Sequence, residues 1–115
     1  MRINKVIHHN SSFYGQTTTI ILADGYAYVM VTVMNGTEDV AAIHDVCVHK
    51  DRRGEGLGRE LLECACEEAR TMGAEIARLS TESGSWLEEW YSRHGFYKAG
   101  KDELIKDHTV MEKVL

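Results

Sequence analysis

The sequence predicts an α+β domain on a mixed, mostly antiparallel sheet. Three observations carry that reading. Four β-type runs precede residue 49, with Asp24-Gly25 and Asn35-Gly36 at turn positions between them. The run over 39–48 feeds a glycine-rich loop and then a helical pattern over 56–72. A short strand pattern at 75–80 follows that helix, so a right-handed crossover places it parallel to 39–48.

Residues 2–9 read as an edge strand and 10–16 as a loop. Thr17 to Ala23 is rich in β-branched residues. Asp24-Gly25 turns the chain into a strand over 26–34 whose imperfect alternation implies partial cover on both faces. Together with 39–48 these runs form an antiparallel meander. In the helix over 56–72, Leu57, Leu61, Cys64, Ala65, Ala69 and Met72 recur at helical spacing as the buried stripe, and Glu60, Glu63, Glu67 and Arg70 form the wet face. Gly73 suits the end of that helix. Residues 75–80 read as a central strand, and Ser83-Gly84-Ser85 opens a second helix containing Trp86, Leu87, Trp90 and Tyr91. His94-Gly95 closes it; strands at 96–99 and 107–114 flank a loop over 100–106.

The chain has 115 residues, read as one domain over 1–115. It is 43% apolar and 27% charged, a globular composition, and carries a net charge of -5. That acidic balance argues against a general nucleic-acid binder. No apolar run approaches the about 20 residues of a membrane span, and no leader pattern is seen. The three cysteines, Cys47, Cys64 and Cys66, form no pairing or zinc pattern, which points to a reducing compartment and a cytoplasmic location.

Against the acidic background a basic cluster stands out at 50–59. Arg53-x-x-Gly56-x-Gly58 lies between a strand ending at Val48 and the start of a helix. Glycines there let the backbone come close to a ligand. The first helix amides lack intrahelical partners and the helix dipole makes that end electropositive. Arg52, Arg53 and Arg59 add charge. This is an anion cradle suited to a pyrophosphate. It lacks the Gly-Lys-Ser/Thr ending of a P-loop and the first glycine of a dinucleotide fingerprint.

Four features together resemble the GCN5-related N-acetyltransferase (GNAT) superfamily: Ile43-His44-Asp45-Val46-Cys47-Val48, Arg53-x-x-Gly56-x-Gly58, Trp90-Tyr91-x-x-His94-Gly95-Phe96, and Val110-Met111-Glu112-Lys113-x-Leu115. The match covers roughly residues 39–115. The resemblance implies a three-layer fold with helices on both faces of the sheet, acetyl-coenzyme A as cosubstrate, no metal, and direct acetyl transfer to the amine of a small molecule or peptide. It implies that the backbone of Val46, Cys47 and Val48 holds the pantetheine arm. The loop Arg53, Gly54, Glu55, Gly56, Leu57, Gly58 and Arg59 would hold the pyrophosphate, and an amide near Cys47 would polarise the acetyl carbonyl.

By the same resemblance Tyr91 is the general acid for the leaving thiolate. A buried aromatic in an apolar helix is the alternative. His44 is the leading base, placed by strand alternation on the face of Val46 and Val48, and a structural or exposed histidine is its alternative. Asp45 points to the other face unless a bulge intervenes. His49 sits at the loop mouth, toward solvent or phosphate.

The chain departs from the superfamily at three points. Residues 10–16 leave no room for the usual helices over the acceptor. The groove is then open, or closed by a second subunit or the 100–107 loop. Gly84 stands where an asparagine is common, so Ser83 or Ser85 would replace its bond, and Lys50 stands where a proline is common. Exposed edges at 2–9 and 107–115 suggest a homodimer. Of Trp86 and Trp90, one is expected at the acceptor site or an interface unless both enlarge the core. A non-catalytic coenzyme A-binding or partner-binding module is the competing reading, and a nucleotide-binding domain a weaker one.

Overall fold

In the computed structural model, which describes residues 3–12, 15–34 and 39–115, one seven-stranded sheet runs through the chain. The strands are β1 (Asn4–Ser12), β2 (Gly15–Ala23), β3 (Ala27–Met34), β4 (Val40–Val48), β5 (Ile76–Glu82), β6 (Tyr97–Lys101) and β7 (His108–Val114). Helix α1 (Leu57–Thr71) joins β4 to β5, and α2 (Trp86–Arg93) joins β5 to β6. The spatial order is β1-β2-β3-β4-β5-β7-β6. The β4–β5 pair is parallel, and the others are antiparallel. The α+β class, the meander and the parallel crossover are as the sequence predicts. No described helix is long and apolar enough to cross a membrane.

The meander is tighter than expected. Asp24 Oδ1 accepts the backbone N–H groups of Tyr26 and Ala27 at 2.9 and 3.0 Å, and Gly25 takes φ 95°. The first hairpin differs from the expected loop over 10–16. Asn10 to Ser12 continue β1, and Gly15 and Gln16 already belong to β2, with Ser12 opposite Gly15. The polar run Asn10 to Ser12 simply keeps pairing, with Thr17, Gln16 and Gly15, until the chain must turn. The Asn35-Gly36 turn lies outside the described residues.

Residues opposite one another in a ladder share a face, so the register shows how the layers are arranged. Ile20, Val31 and Ile43 form one such row; Val33, Ala41 and Ala77 another; Leu79 and Met111 a third. All are buried. The buried side of α1 (Leu57, Leu61, Leu62, Ala65, Cys66 and Ala69) packs into the same core. Leu62 and Cys66 are thus deeper than the predicted stripe, while Cys64 and Met72 lie at its margin, because α1 buries a broad side against the sheet. Helix α2 is on this side too. Its Glu88 accepts from Thr109 at 3.0 Å, and Thr109 pairs with buried Thr81.

One detail of the expected layering therefore changes: both described helices cover the same face. Consecutive right-handed crossovers travelling in one direction across a sheet put their helices on one side. The opposite face carries Ile21, Met30, His44, Arg78, Ser80 and Glu112, partly or fully exposed. The expected edge at 107–115 is also corrected. β7 inserts between β5 and β6, so the sheet ends at β1 and β6.

Candidate active site

β4 and β5 pair only at Val40, Ala41 and Ala42 against Ile76, Ala77 and Arg78. Beyond Arg78, β5 turns its ladder wholly to β7. The C-terminal half of β4 therefore has no partner on its β5 side among the described residues. A cleft of about 800 Å³ opens at this divergence. Val46, Cys47 and Val48 form one wall, Arg53, Gly54 and Leu57 the loop end, and Trp86, Leu87, Trp90 and Tyr91 of α2 the other wall. Tyr26 and Tyr28 close the β3 side.

A bulge shapes the β4 wall. Met30 lies opposite His44, yet Tyr28 lies opposite Cys47, so an extra residue of β4 is accommodated around Asp45. Alternation shifts by one at that point. Val46 and Val48 pack against the core, while His44 and Cys47 share the open face. The expectation that His44 shares the face of Val46 and Val48 is corrected for this reason. His44 is exposed on the side that carries no helix.

The glycine loop leaves β4 through a 3-10 turn at Lys50–Arg52. His49 Nδ1 accepts the Asp51 N–H at 3.2 Å, so His49 caps that turn. Arg53 Nε donates to the Val48 carbonyl at 3.1 Å, tying the loop to the strand end. Arg52 lies over the Tyr26 ring at 4.6 Å and pairs with Glu55 at 3.0 Å. Gly54 and Gly56 take φ 83° and 81°, which any side chain would strain. Gly56 is the N-cap of α1 and supplies no side-chain cap, so the first amides face outward unmet by a side chain.

Gly58 is informative in a different way. A Cβ there would sit 3.5 Å from Trp90 and Val48, an ordinary contact. Glycine costs a helix about 1 kcal/mol relative to alanine. Packing alone does not require it, and its effect is to leave bare backbone at the loop.

The second motif is explained by a helix end. Gly95, at φ 92°, follows the last turn of α2; His94 and Phe96 donate to the Tyr91 carbonyl at 3.0 and 3.2 Å. This left-handed cap turns the chain back, so the Phe96 ring meets Tyr91 edge-on at 5.7 Å. Trp90 packs edge-on to Tyr91 and His94 at 5.1 and 4.4 Å. Tyr91 is buried. Burial, and secondarily the proximity of Cys47, push its phenol up to about 12. It remains a neutral O–H at any physiological pH, held beside the β4 wall. Burial, then Arg59 and Arg93, hold the His94 imidazole below its ordinary value.

Trp86 is exposed at 67% and lines the cleft, whereas Trp90 is partly buried. Ser83 Oγ bonds Thr109 at 2.7 Å and Ser85 Oγ donates to the Glu82 carbonyl at 2.7 Å, so both hydroxyls already have partners. Gly84 adopts φ 75° and gives its N–H to Glu88 at 3.2 Å, a conformation that explains glycine there. Lys98, Thr109 and Gly84 hold the Glu88 carboxyl below its usual range, and this buried side chain ties α2 to β6 and β7. It is spoken for structurally and does not reach out as a site for cations.

Sequence reasoning missed Tyr26, Tyr28 and Leu87 as cleft walls, and of the two tryptophans it expected one there where both line the cleft. The available signal was the Asp24-Gly25 turn, which places Tyr26 beside the end of β4, where the His49 N–H reaches the Tyr26 carbonyl at 2.6 Å.

A family model for the acetyltransferase (GNAT) domain matches residues 10–98. No curated protein matches the chain. Solved structures do. Nourseothricin acetyltransferase is similar at 20% identity and TM-score 0.72, covering 96% of this chain and 84% of that one. The PaiA N-acetyltransferase of Thermoplasma acidophilum, in complex with coenzyme A, is similar at 14% identity and TM-score 0.70, covering 86% and 61%. N-acetylglutamate synthase of Neisseria gonorrhoeae, complexed with coenzyme A and N-acetylglutamate, is similar at 20% identity and TM-score 0.68, covering 84% of this chain and 25% of that one. These structures share the fold, and the family model spans most of the sequence. The chain belongs to the GNAT acetyltransferase family.

Proposed function

We propose that this protein transfers the acetyl group of acetyl-coenzyme A to a primary amine by direct attack. The observation that carries the reading is the separation of β4 from β5 beyond Ala42 and Arg78, with the glycine loop at one end of the gap and Tyr91 beside it. The free edge of Val46 to Val48 suits an amide-bearing arm that adds as a strand does. The bare amides of 54–59, with Arg53 and Arg59 nearby, suit a pyrophosphate. Two of the similar structures were solved with coenzyme A, which supports the same ligand here.

In the reaction the amine nitrogen forms a bond to the acetyl carbon and the carbon–sulfur bond breaks. The Cys47 backbone amide stabilises the carbonyl oxygen as charge builds on it. Tyr91, neutral because it is buried, gives its proton to the departing thiolate. The attacking nitrogen loses a proton to a base on the open face, where His44 is the candidate read from sequence. That face has no helical cover among the described residues, which fits a peptide or a bulky amine as well as a small one. A second copy of the chain would pair through the β1 or β6 edge.

The test is thiol release from acetyl-coenzyme A across a broad panel of primary amines, peptides included. Release with at least one amine, lost in Tyr91→Phe, is expected. Binding of acetyl-coenzyme A with no release for any amine would favour the non-catalytic module.

A further inference from the structure

A second polar arrangement lies on the open face, outside the cleft walls. It joins Ser80 of β5, Asp102 of the β6–β7 connection and His108 at the start of β7. Asp102 Oδ1 accepts the backbone N–H groups of Leu104 and Ile105 at 2.8 and 3.1 Å, and its Oδ2 accepts the Ser80 hydroxyl at 2.7 Å. The Asp102 N–H donates to the His108 carbonyl at 3.0 Å, fixing the two residues relative to each other. With the Ser80 hydroxyl foremost and the Leu104 amide next, these donors hold the Asp102 carboxyl below its usual range.

The proton count then fixes a tautomer. An ionised carboxylate only accepts, so Ser80 gives its single proton to Asp102. Ser80 Oγ also lies 3.1 Å from His108 Nδ1. The proton in that second bond must come from the imidazole. Neutral His108 therefore carries its proton on Nδ1 and keeps a lone pair on Nε2. No hydrogen bond to a described residue fixes the tautomer of His44.

The position is also suitable. Ala42 pairs with Arg78, so Ser80 lies on the same face as His44, across the widening gap between β4 and β5. His108 pairs with Glu82, at the cleft end of β5.

We propose that Asp102, Ser80 and His108 form a proton relay on the acceptor side, with His108 Nε2 receiving the proton of the attacking amine. The inference rests on the acetyl-transfer reading and names its base. As the nitrogen–carbon bond forms, the ammonium proton passes to Nε2. The imidazolium is stabilised by the Asp102 carboxylate through Ser80, and the proton is later released to solvent. The thiolate takes its proton separately from Tyr91. Ser80 and Asp102 are positioning residues. The other charged groups near His108 are Glu82 across the ladder and Lys106 and Asp107 in the preceding turn, all exposed, with His44 across the gap.

The experiment uses the full chain, acetyl-coenzyme A and the amine that gives the fastest thiol release. His108→Asn keeps a donor in the place of Nδ1 but has no base. It is expected to lower kcat about a hundredfold or more, with the melting temperature near wild type. Asp102→Asn and Ser80→Ala release the imidazole from its fixed orientation, so kcat falls by about tenfold or more while KM for acetyl-coenzyme A and the melting temperature stay near wild type. A loop tie without a catalytic role leaves kcat in place. The nitrogen-15 spectrum of neutral His108 is expected to show the proton on Nδ1. A proton on Nε2, an unchanged kcat in His108→Asn, or an acidic limb lost in His44→Gln but kept in His108→Asn each overturns the relay alone. Absence of thiol release from the wild type with every amine overturns the underlying reading and the relay with it.

Discussion

The two faces of the sheet differ in what they hold. On the covered face Val29, Val31, Ala41, Ala77 and Met111 are fully buried against one another and against α1 and α2. On the other, Ile21 and Met30 remain half-exposed, and His44, Ser80 and His108 stand among them. Close packing on the first face holds Tyr91, Leu57 at the start of α1, and the Val46 and Val48 side chains of the β4 wall. The second face leaves titratable groups in reach of solvent and of an incoming molecule. The difference teaches a division of labour: on the proposed reading, the core builds the cosubstrate site, and the acceptor site is what the core leaves uncovered.

The sharpest break of that comparison is chemical. Tyr91→Phe keeps the ring that packs on Phe96 and Trp90 and removes only the hydroxyl. It is expected to cost about 10²–10⁴ in kcat while acetyl-coenzyme A affinity stays unchanged, measured by thiol release and calorimetry. Stability gives a companion test. The buried phenol ionises near 12 when folded and near 10 when unfolded, so its stabilising effect is full below pH 10 and is lost as pH rises toward 12. At about 1.4 kcal/mol per pH unit, the wild type should lose roughly 2–3 kcal/mol over that window that Tyr91→Phe does not.

Next comes the packing contrast itself. Leu79→Ala, on the covered face, is expected to destabilise by about 2–4 kcal/mol in chemical denaturation. Ile21→Thr, on the open face, should cost less than about 1.5 kcal/mol. Equal costs would mean that the open face is covered in solution, and a concentration-dependent melting temperature would identify a second copy as the cover.

A smaller effect is expected in the loop. Gly56→Asp places a carboxylate where an anion should sit, and should weaken acetyl-coenzyme A by about tenfold or more through the loss of charge-assisted bonds. Gly58→Ala is the subtlest. It should leave stability unchanged or raise it by up to about 1 kcal/mol, since a methyl fits against Trp90 and Val48, and should weaken only the ligand.

What was legible in the sequence is what short-range chemistry decides. Asp24-Gly25, the glycine loop and the Tyr91-to-Phe96 motif each encode a backbone conformation within a few residues, and the structure forms each of them. The meander and the crossover followed from period and order. The bulge at Asp45 was not legible as a register, because it depends on how Tyr28 and Met30 meet the opposite strand. Strict alternation therefore grouped His44 with Val46 and Val48, which the bulge turns to the other face. The insertion of β7 between β5 and β6 is likewise a long-range choice, and it brings His108 to Ser80 across 28 residues of sequence. Asp102, Ser80 and His108 are polar residues with no motif between them, so their joint position emerges only from the folded ladder.

The central claim is that the gap between β4 and β5 seats coenzyme A by backbone contacts. The most direct measurement is the shift of backbone amide resonances on titration with acetyl-coenzyme A. Perturbation concentrated at Val46 to Val48 and Gly54 to Arg59, with β1 unmoved and ATP giving no equal response, is the expected result. No perturbation at saturating ligand, or one centred away from the gap, would contradict the account.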